Sequence, residues 1–433
     1  MCPIQAKDHL AADPPPVPRL VPPAGSATGT LRPAGADGAG RATTRVVPLG
    51  QATADVTAVD ADVPAAVGRV LEDLLADRLT RAHAMDALFA RELAERVARF
   101  TREGGKRARS QLVWWSLRAC GGTDTTAAAA GLRIGAALEL LQTCALVHDD
   151  VMDGSALRRG RPALHADVRD HYARTAPAAR AARFGEAAAV LAGDLALVWA
   201  DDVLAETVLD PWTATVVRRL WSDMRTEMVA GQYLDLQGQL TGSRSVPRAL
   251  RAACLKSALY SVERPLALGA AVAGADAVTV RALCSAGRCV GMAFQLRDDL
   301  NDVFGDPRRT GKRSAEDIRE GKPTYLVALA VARARAAGDR HALAVLERAL
   351  GDDGLTPAGL DAIRDVLERT GARTTVESRI ERLTAQGLRH ADRARLEPVA
   401  GARLRALLAS TGGAPLPDDG SVRPHPVTPE VRR

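Results

Sequence analysis

From residue 59 to about 410, apolar and charged positions recur at the three- and four-residue spacing of an amphipathic helix. LEDLLADRLTRAHAMDALFARELAERVARF (71–100) is a plain case. GLRIGAALELLQTCALVHDDVMD (131–153) differs, being apolar nearly all round until its acidic end, which predicts a central helix buried on every side. TAPAARAARFGEA (175–187) predicts a loop running into the next helix. AAAVLAGDLALVWA (187–200) is short for a bilayer and interrupted by Asp194, so it predicts a buried helix and no membrane span. Residues 1–58 are rich in Pro, Gly, Ala and Thr without a sustained period and predict a disordered leader; residues 411–433 predict a flexible tail. The pattern therefore predicts one all-α domain over 59–410.

Composition adds little to that picture. The chain has 433 residues, 47% of them hydrophobic, enough for a large core. Its formal charge of +6 comes from arginines scattered among acids, without a basic block or an aromatic stacking pattern, which argues against nucleic acid. The six cysteines (2, 120, 144, 254, 284 and 289) show no CxxC spacing, and a chain of this size needs no disulfide framework. The start, MCPIQAKDHLAADPPP, lacks the apolar core of a signal peptide. A cytoplasmic protein with reduced thiols is expected.

Asp-Asp occurs five times, so a doublet alone means nothing. Only DDVMD (149–153) and DDLND (298–302) carry a further Asp four positions after the first. On a helix that spacing puts Asp149 and Asp153 on one face, and Asp298 and Asp302 on another. Like charges so placed destabilise a helix unless compensated, and a hard divalent cation with oxygen ligands compensates them. Both clusters follow apolar runs, which predicts two acidic mouths facing one buried space, as bundles build metal sites. Either cluster alone could be an exposed acidic helix end.

The lysines sharpen this. Of 58 Lys and Arg residues only five are lysine: Lys7, Lys106, Lys256, Lys312 and Lys322. A lysine that persists in so arginine-rich a chain is a candidate for binding phosphate as a compact point charge. Lys106 lies in GGKRARS, Lys256 in CLKSALYSVERP, and Lys312 and Lys322 in DPRRTGKRSAEDIREGKPT. Cations beside two aspartate clusters predict a diphosphate clamp.

Taken in order, GGKRAR, LLQTCALVHDDVMDGSALRRGRPALH, LAGD, LKSALYSVERP and FQLRDDLNDVFGDPRRTGKRSAEDIREGK resemble the trans-isoprenyl diphosphate synthase (polyprenyl synthetase) family over most of 59–410. The resemblance implies an all-α, single-domain isoprenoid synthase bundle around a deep central cavity, usually homodimeric, which condenses isopentenyl diphosphate with an allylic diphosphate. It implies three Mg²⁺ per site, held by Asp149 and Asp153 from one wall and Asp298 from the other, with Asp302 behind. By the same resemblance Lys106, Arg109, Gln142 and Arg159 hold isopentenyl diphosphate. Arg158, Lys256, Lys312 and Lys322 hold the allylic diphosphate, and Ser257 and Gln295 stand beside the developing cation with Lys256. Ser110 stands where many members have Pro, Ser257 where many have Thr, and one extra residue separates Lys312 from Asp317.

In this family the residues four and five positions before the first Asp limit product length. Here they are Ala145 and Cys144, both small, so a floor one turn deeper at Leu141 implies a geranylgeranyl (C20) product. If Leu141 turns aside, longer products pass. A class I terpene cyclase would not need the GGKRAR and RRG cations, and a non-catalytic partner subunit is expected to lose an acid cluster, whereas this chain keeps both. His148 reads as a packing or hydrogen-bonding residue, and Cys144 as a pocket wall, since nothing nearby would activate it.

Overall fold

A computed structural model describes residues 56–306 and 314–413. The chain runs through α1 (Val56–Ala61), α2 (Val63–Met85), α3 (Ala87–Phe89) and α4 (Glu95–Arg102) to α5 (Ala108–Ala119) and α6 (Thr125–Met152). A small antiparallel hairpin, β1 (Leu157–Arg158) with β2 (Arg161–Pro162), precedes α7 (Leu164–Tyr172), α8 (Ala178–Ala205) and α9 (Pro211–Leu240). α10 (Val246–Ala253) passes without a break through a π-helical stretch, Cys254–Glu263, into α11 (Arg264–Val272). After α12 (Ala277–Phe304) come α13 (Glu316–Arg319), α14 (Tyr325–Ala337), α15 (Arg340–Ala349), α16 (Pro357–Arg369), α17 (Ala372–Ala391) and α18 (Pro398–Gly412). The hairpin apart, every regular element among the described residues is helical. The first 55 residues, the stretch 307–313 and the last 20, which include most of the expected leader and tail, lie outside the described residues.

Local chemistry sets the helix starts. Asp124 accepts from the Ala127 amide at 2.8 Å, and Asp276 from those of Val278 and Thr279, satisfying donors that a helix N-terminus leaves open. At α9, Asp210 caps and Pro211 follows at the first helical position, where its missing N–H costs nothing.

α6 is the axis of the bundle. Leu138 and Leu141 on it are fully buried, packed in one core with Leu75 of α2, Trp114 of α5, Ala192 of α8 and Met224 of α9. α12 plays the same part on the far side: Leu283 joins a core with Leu266 and Leu404, and Leu296 one with Leu326 and Ile363. α6 and α12 are each long and apolar enough to cross a membrane, but 78% of the apolar window of α6 is buried within the bundle, as in the core helix of any large helical domain.

Two close approaches fix how the long helices meet. A Cβ on Gly193 of α8 would lie 2.1 Å from His148 Nε2, and one on Gly231 of α9 would lie 2.3 Å from the Lys256 backbone nitrogen. Gly193 gives the His148 ring its place against α8. There Nε2 donates to the Val190 carbonyl at 3.0 Å, which leaves Nδ1 to accept from the Cys144 thiol at 3.8 Å. Gly231 lets α9 lie against the π-helical stretch. Gly231→Ala is expected to force these two backbones apart, lowering stability by about 1–3 kcal/mol. Urea denaturation against wild type measures this; an unchanged midpoint would show that the backbones can separate without cost.

Candidate active site

α6, α9, the π-helical stretch, α12 and the segment after α13 enclose a cavity of about 1150 Å³. Its mouth is charged. Asp149, at the end of α6, accepts from Gln232 Nε2 at 2.8 Å and from Lys256 Nζ at 3.1 Å. Lys256 also donates to Asp235 of α9 at 3.1 Å, so one ammonium joins carboxylates from two helices. One turn on, Asp153 is buried beneath Lys322, whose Nζ donates to it at 2.8 Å and stands 3.5 Å from Asp317. Asp298, Asp299 and Asp317 line the facing wall.

The aspartate between these two has another task. Asp150 is buried and takes Arg158 Nε at 2.7 Å, so the carboxylate that turns away from the cavity anchors the hairpin carrying Arg158 and Arg159.

Electrostatics at the mouth follow from crowding. Burial raises the Asp149 carboxyl, but Lys256 and Lys322 outweigh it and hold the group below its ordinary value. Burial also dominates at Asp153, which lies above its ordinary value despite Lys322. Asp299 is raised well above the carboxylate range by burial and then by Asp317. Burial pulls the Lys322 ammonium down, yet Asp317, Asp153 and Glu320 together push it far up. Carboxylates thus outnumber the ammoniums among them. Among the described residues no three acidic, His or Cys side chains converge to cage an ion. Asp153 Oδ1, however, is buried without a hydrogen-bond partner. A divalent cation held by one or two carboxylates and completed by substrate phosphates fits such a mouth.

The expected residues do not all lie together. Asp149, Asp298, Lys256, Ser257, Gln295, Lys322, Arg158, Arg109, Gln142, Cys144 and Ala145 line the cavity. Arg159 lines an adjoining cleft of about 550 Å³, which shares Arg158 with it. Its guanidinium donates to the Glu103 carbonyl at 3.1 Å and lies against Phe100. Lys106 is exposed and lines neither space, while Lys312 lies outside the described residues. Asp302 does not reach the cavity wall: it accepts from the Glu316 and Asp317 amides at 3.1 and 3.2 Å and so caps the segment carrying Asp317. Leu141 is fully buried in the core and is not part of the wall.

The structure adds residues that spacing did not single out. Gln232 and Asp235 lie three apart on α9, hidden in AGQYLDLQ, although a polar pair at that interval marks one face of a helix. Tyr260 and Ser261 hold Arg109: the guanidinium stacks 4.5 Å from the Tyr260 ring and donates to Ser261 Oγ at 2.7 Å. Ser110, in the first turn of α5, donates to Glu139 at 2.6 Å and ties α5 to α6. Cys144 lines the cavity; burial, then Asp194 and Asp201, push its thiol up to about 12, and contrary to the expectation that nothing stood near it, it meets His148 Nδ1 at 3.8 Å.

The polyprenyl synthetase family model matches residues 90–356, more than half of the chain. The chain belongs to the polyprenyl synthetase family. By that membership it is a prenyltransferase. It is 31% identical over 272 residues to a short chain isoprenyl diphosphate synthase of Methanothermobacter thermautotrophicus, covering 62% of this chain and 74% of that one. A geranylgeranyl diphosphate synthase of Mycobacterium tuberculosis is 35% identical over 242 residues, covering 55% and 62%. Among solved structures, a geranylgeranyl pyrophosphate synthase of Corynebacterium glutamicum, complexed with isoprenyl diphosphate and magnesium, superposes with a TM-score of 0.74 at 36% identity, covering 80% of this chain and 98% of that one.

Because Lys256 compensates both Asp149 and Asp235, Lys256→Met is expected to destabilise the metal-free protein by about 3 kcal/mol. Added Mg²⁺ is expected to raise the Tm of the variant more than that of wild type. A variant as stable as wild type without metal would show that the carboxylates do not need this cation.

Proposed function

We propose that this prenyltransferase condenses isopentenyl diphosphate with allylic diphosphates, head to tail, and stops at twenty carbons. The observation that carries the reading is one cavity with two facing aspartate-bearing helix ends at its mouth, Lys256 and Lys322 between them, and an interior lined by Met228, Val229, Leu197 and Phe294.

Asp149 and Asp153 from α6 and Asp298 from α12 would hold magnesium, three ions on the family's pattern. When bound, magnesium supplies positive charge to the departing diphosphate. Lys256, Lys322 and Arg158 stand where that diphosphate gathers negative charge, and preorganised cations in a site with little water lower the barrier to its departure. The allylic C–O bond breaks with its electron pair on the diphosphate. The double bond of isopentenyl diphosphate then forms the new C–C bond, and a proton is lost to the departing diphosphate. Gln295 donates its amide N–H to Asp299 at 2.8 Å, so what it can offer a developing cation is its carbonyl oxygen. Arg109 and Gln142 would hold the second diphosphate, with Arg159 beside them. Burial pushes the Tyr260 hydroxyl up, and that hydroxyl is buried without a hydrogen-bond partner.

Depth supports the twenty-carbon limit. The lining on α9 descends from Gln232, at the level of Asp149, to Ser222, a drop of about 15 Å. At roughly one five-carbon unit per turn of about 5.4 Å, a fifteen-carbon primer fills this depth. With Leu141 outside the wall, the limit rests on α8 and α9 rather than on α6. Incubation with Mg²⁺, labelled isopentenyl diphosphate and C5, C10 or C15 primers is expected to give mainly C20 diphosphate, and Asp149→Asn to lower kcat by about 10²–10³-fold. Folded protein that extends no primer would overturn the reading.

We also propose a cytoplasmic homodimer. Phe184, Leu191 and Val198 recur every seven residues on α8 and are about half exposed, and Val229 and Tyr233 of α9 line the cavity while 62% and 67% exposed. A second copy laid on this stripe would cover it and complete that wall. Sedimentation of the purified protein is expected to give twice the chain mass, and Leu191→Glu the single chain; a monomeric wild type would refute the pairing.

A further inference from the structure

The end of the cavity far from the aspartates carries a charge that the condensation does not use. On α9 the lining passes from Gln232 through Met228 to Arg225 and Ser222. On α8 it ends at Leu197; one turn further stands Asp201, which forms an ion pair with Arg225 and accepts from Trp221 Nε1 at 2.7 Å. Trp221 lies one turn beyond Arg225, is 2% exposed, and is not part of the wall. Ser222, about one turn past the Arg225 Cα, still lines the wall; the Arg225 side chain leans to that level to reach Asp201 beside Trp221, and the hydrocarbon end stops where it crosses from α9 to α8.

An arginine can do this because its parts differ. The methylene stem lines apolar space while the guanidinium reaches outward, and here 32% of the side chain is exposed. Asp201 takes that head group, and Trp221, itself packed in the core, holds Asp201. The bar is therefore fixed at one end by α9 and at the other by a carboxylate on α8.

We propose that the Arg225–Asp201 pair, steadied by Trp221, is the floor that ends chain growth and sets product length. This rests on the prenyl-condensing reading above. A floor made of a partly exposed ion pair is weaker than one made of a packed ring, so it yields to some extent, and a minor longer product accompanies the main one.

The test uses wild type, Arg225→Ala and Asp201→Asn, with two readouts. The first is product length from a C15 primer, labelled isopentenyl diphosphate and Mg²⁺. The second, which needs no turnover, is calorimetric binding of C15 and C20 allylic diphosphates with Mg²⁺. Arg225→Ala is expected to move the main product up by at least one five-carbon unit and to bind the C20 diphosphate about tenfold more tightly, with C15 binding unchanged. Asp201→Asn, which keeps the shape and frees the guanidinium, is expected to raise the longer minor product several-fold. Folded Arg225→Ala with the wild-type C20 affinity would overturn the proposal, whether or not the proteins turn over; should that variant not fold, an unchanged C20 affinity in Asp201→Asn does the same. Absence of chain growth in wild type, with the binding shift intact, would instead strike the condensation reading and leave the floor in place.

Discussion

The constraint on which the structure turns is an excess of carboxylates brought to one buried mouth. Asp149, Asp235, Asp298, Asp299 and Asp317 line it, with Asp153 beneath, and Lys256 and Lys322 lie among them. Crowding like charges where water is scarce is costly, and a domain tolerates it only where hydrocarbon burial elsewhere offsets the cost. Here α6 and α12 provide that burial along their lengths and present their acids at their ends. The same crowding keeps Lys322 charged despite its burial.

Bringing four elements to one mouth requires their backbones to approach more closely than side chains usually permit. Gly231 does this for α9 against Lys256, and Gly193 for α8 against His148. The π-helical stretch 254–263 does the rest. Lys256, Ser257, Tyr260 and Ser261 all line the cavity, a set of four on one face, and the wider π turn, common at functional sites, sets which face that is. Packing and chemistry thus share residues: the glycine that seats α9 is adjacent to Gln232, which bonds Asp149.

What could be read from the sequence was what local geometry determines. Asp149 and Asp153 share a face because α6 runs to Met152 and Asp153 caps it with a helical backbone, so their spacing was informative. Asp302, expected behind Asp298, lies near the end of α12, where the chain returns past it, and it accepts from the Glu316 and Asp317 amides. Asp299, beside Asp298 in the doublet, reaches the cavity instead. Leu141 was the natural floor from α6 alone, but a cavity floor belongs to several helices, and α8 and α9 bring Leu197 and Arg225 into the space first. Gln232 and Asp235 escaped for the converse reason: nothing in α9 by itself says which polar pair meets α6.

The scarcity of lysine acquires a physical sense from these contacts. Lys256 reaches Asp149 and Asp235 at 3.1 Å each, and Lys322 reaches Asp153 and Asp317, so each ammonium serves carboxylates from different elements at once. A small, rotatable donor suits that geometry. Arginine is used both ways: Arg158 is aimed at Asp150, Arg264 at Glu227 and Arg109 flat against Tyr260, while Arg78 bridges Asp77 and Glu206 and Arg96 bridges Glu92 and Asp167. Lys106 lies exposed with only its backbone carbonyl engaged, by Gln111 at 2.7 Å. What sets the mouth apart is that its shared cations, Lys256 and Lys322, are compact ammoniums buried among carboxylates that approach from several elements.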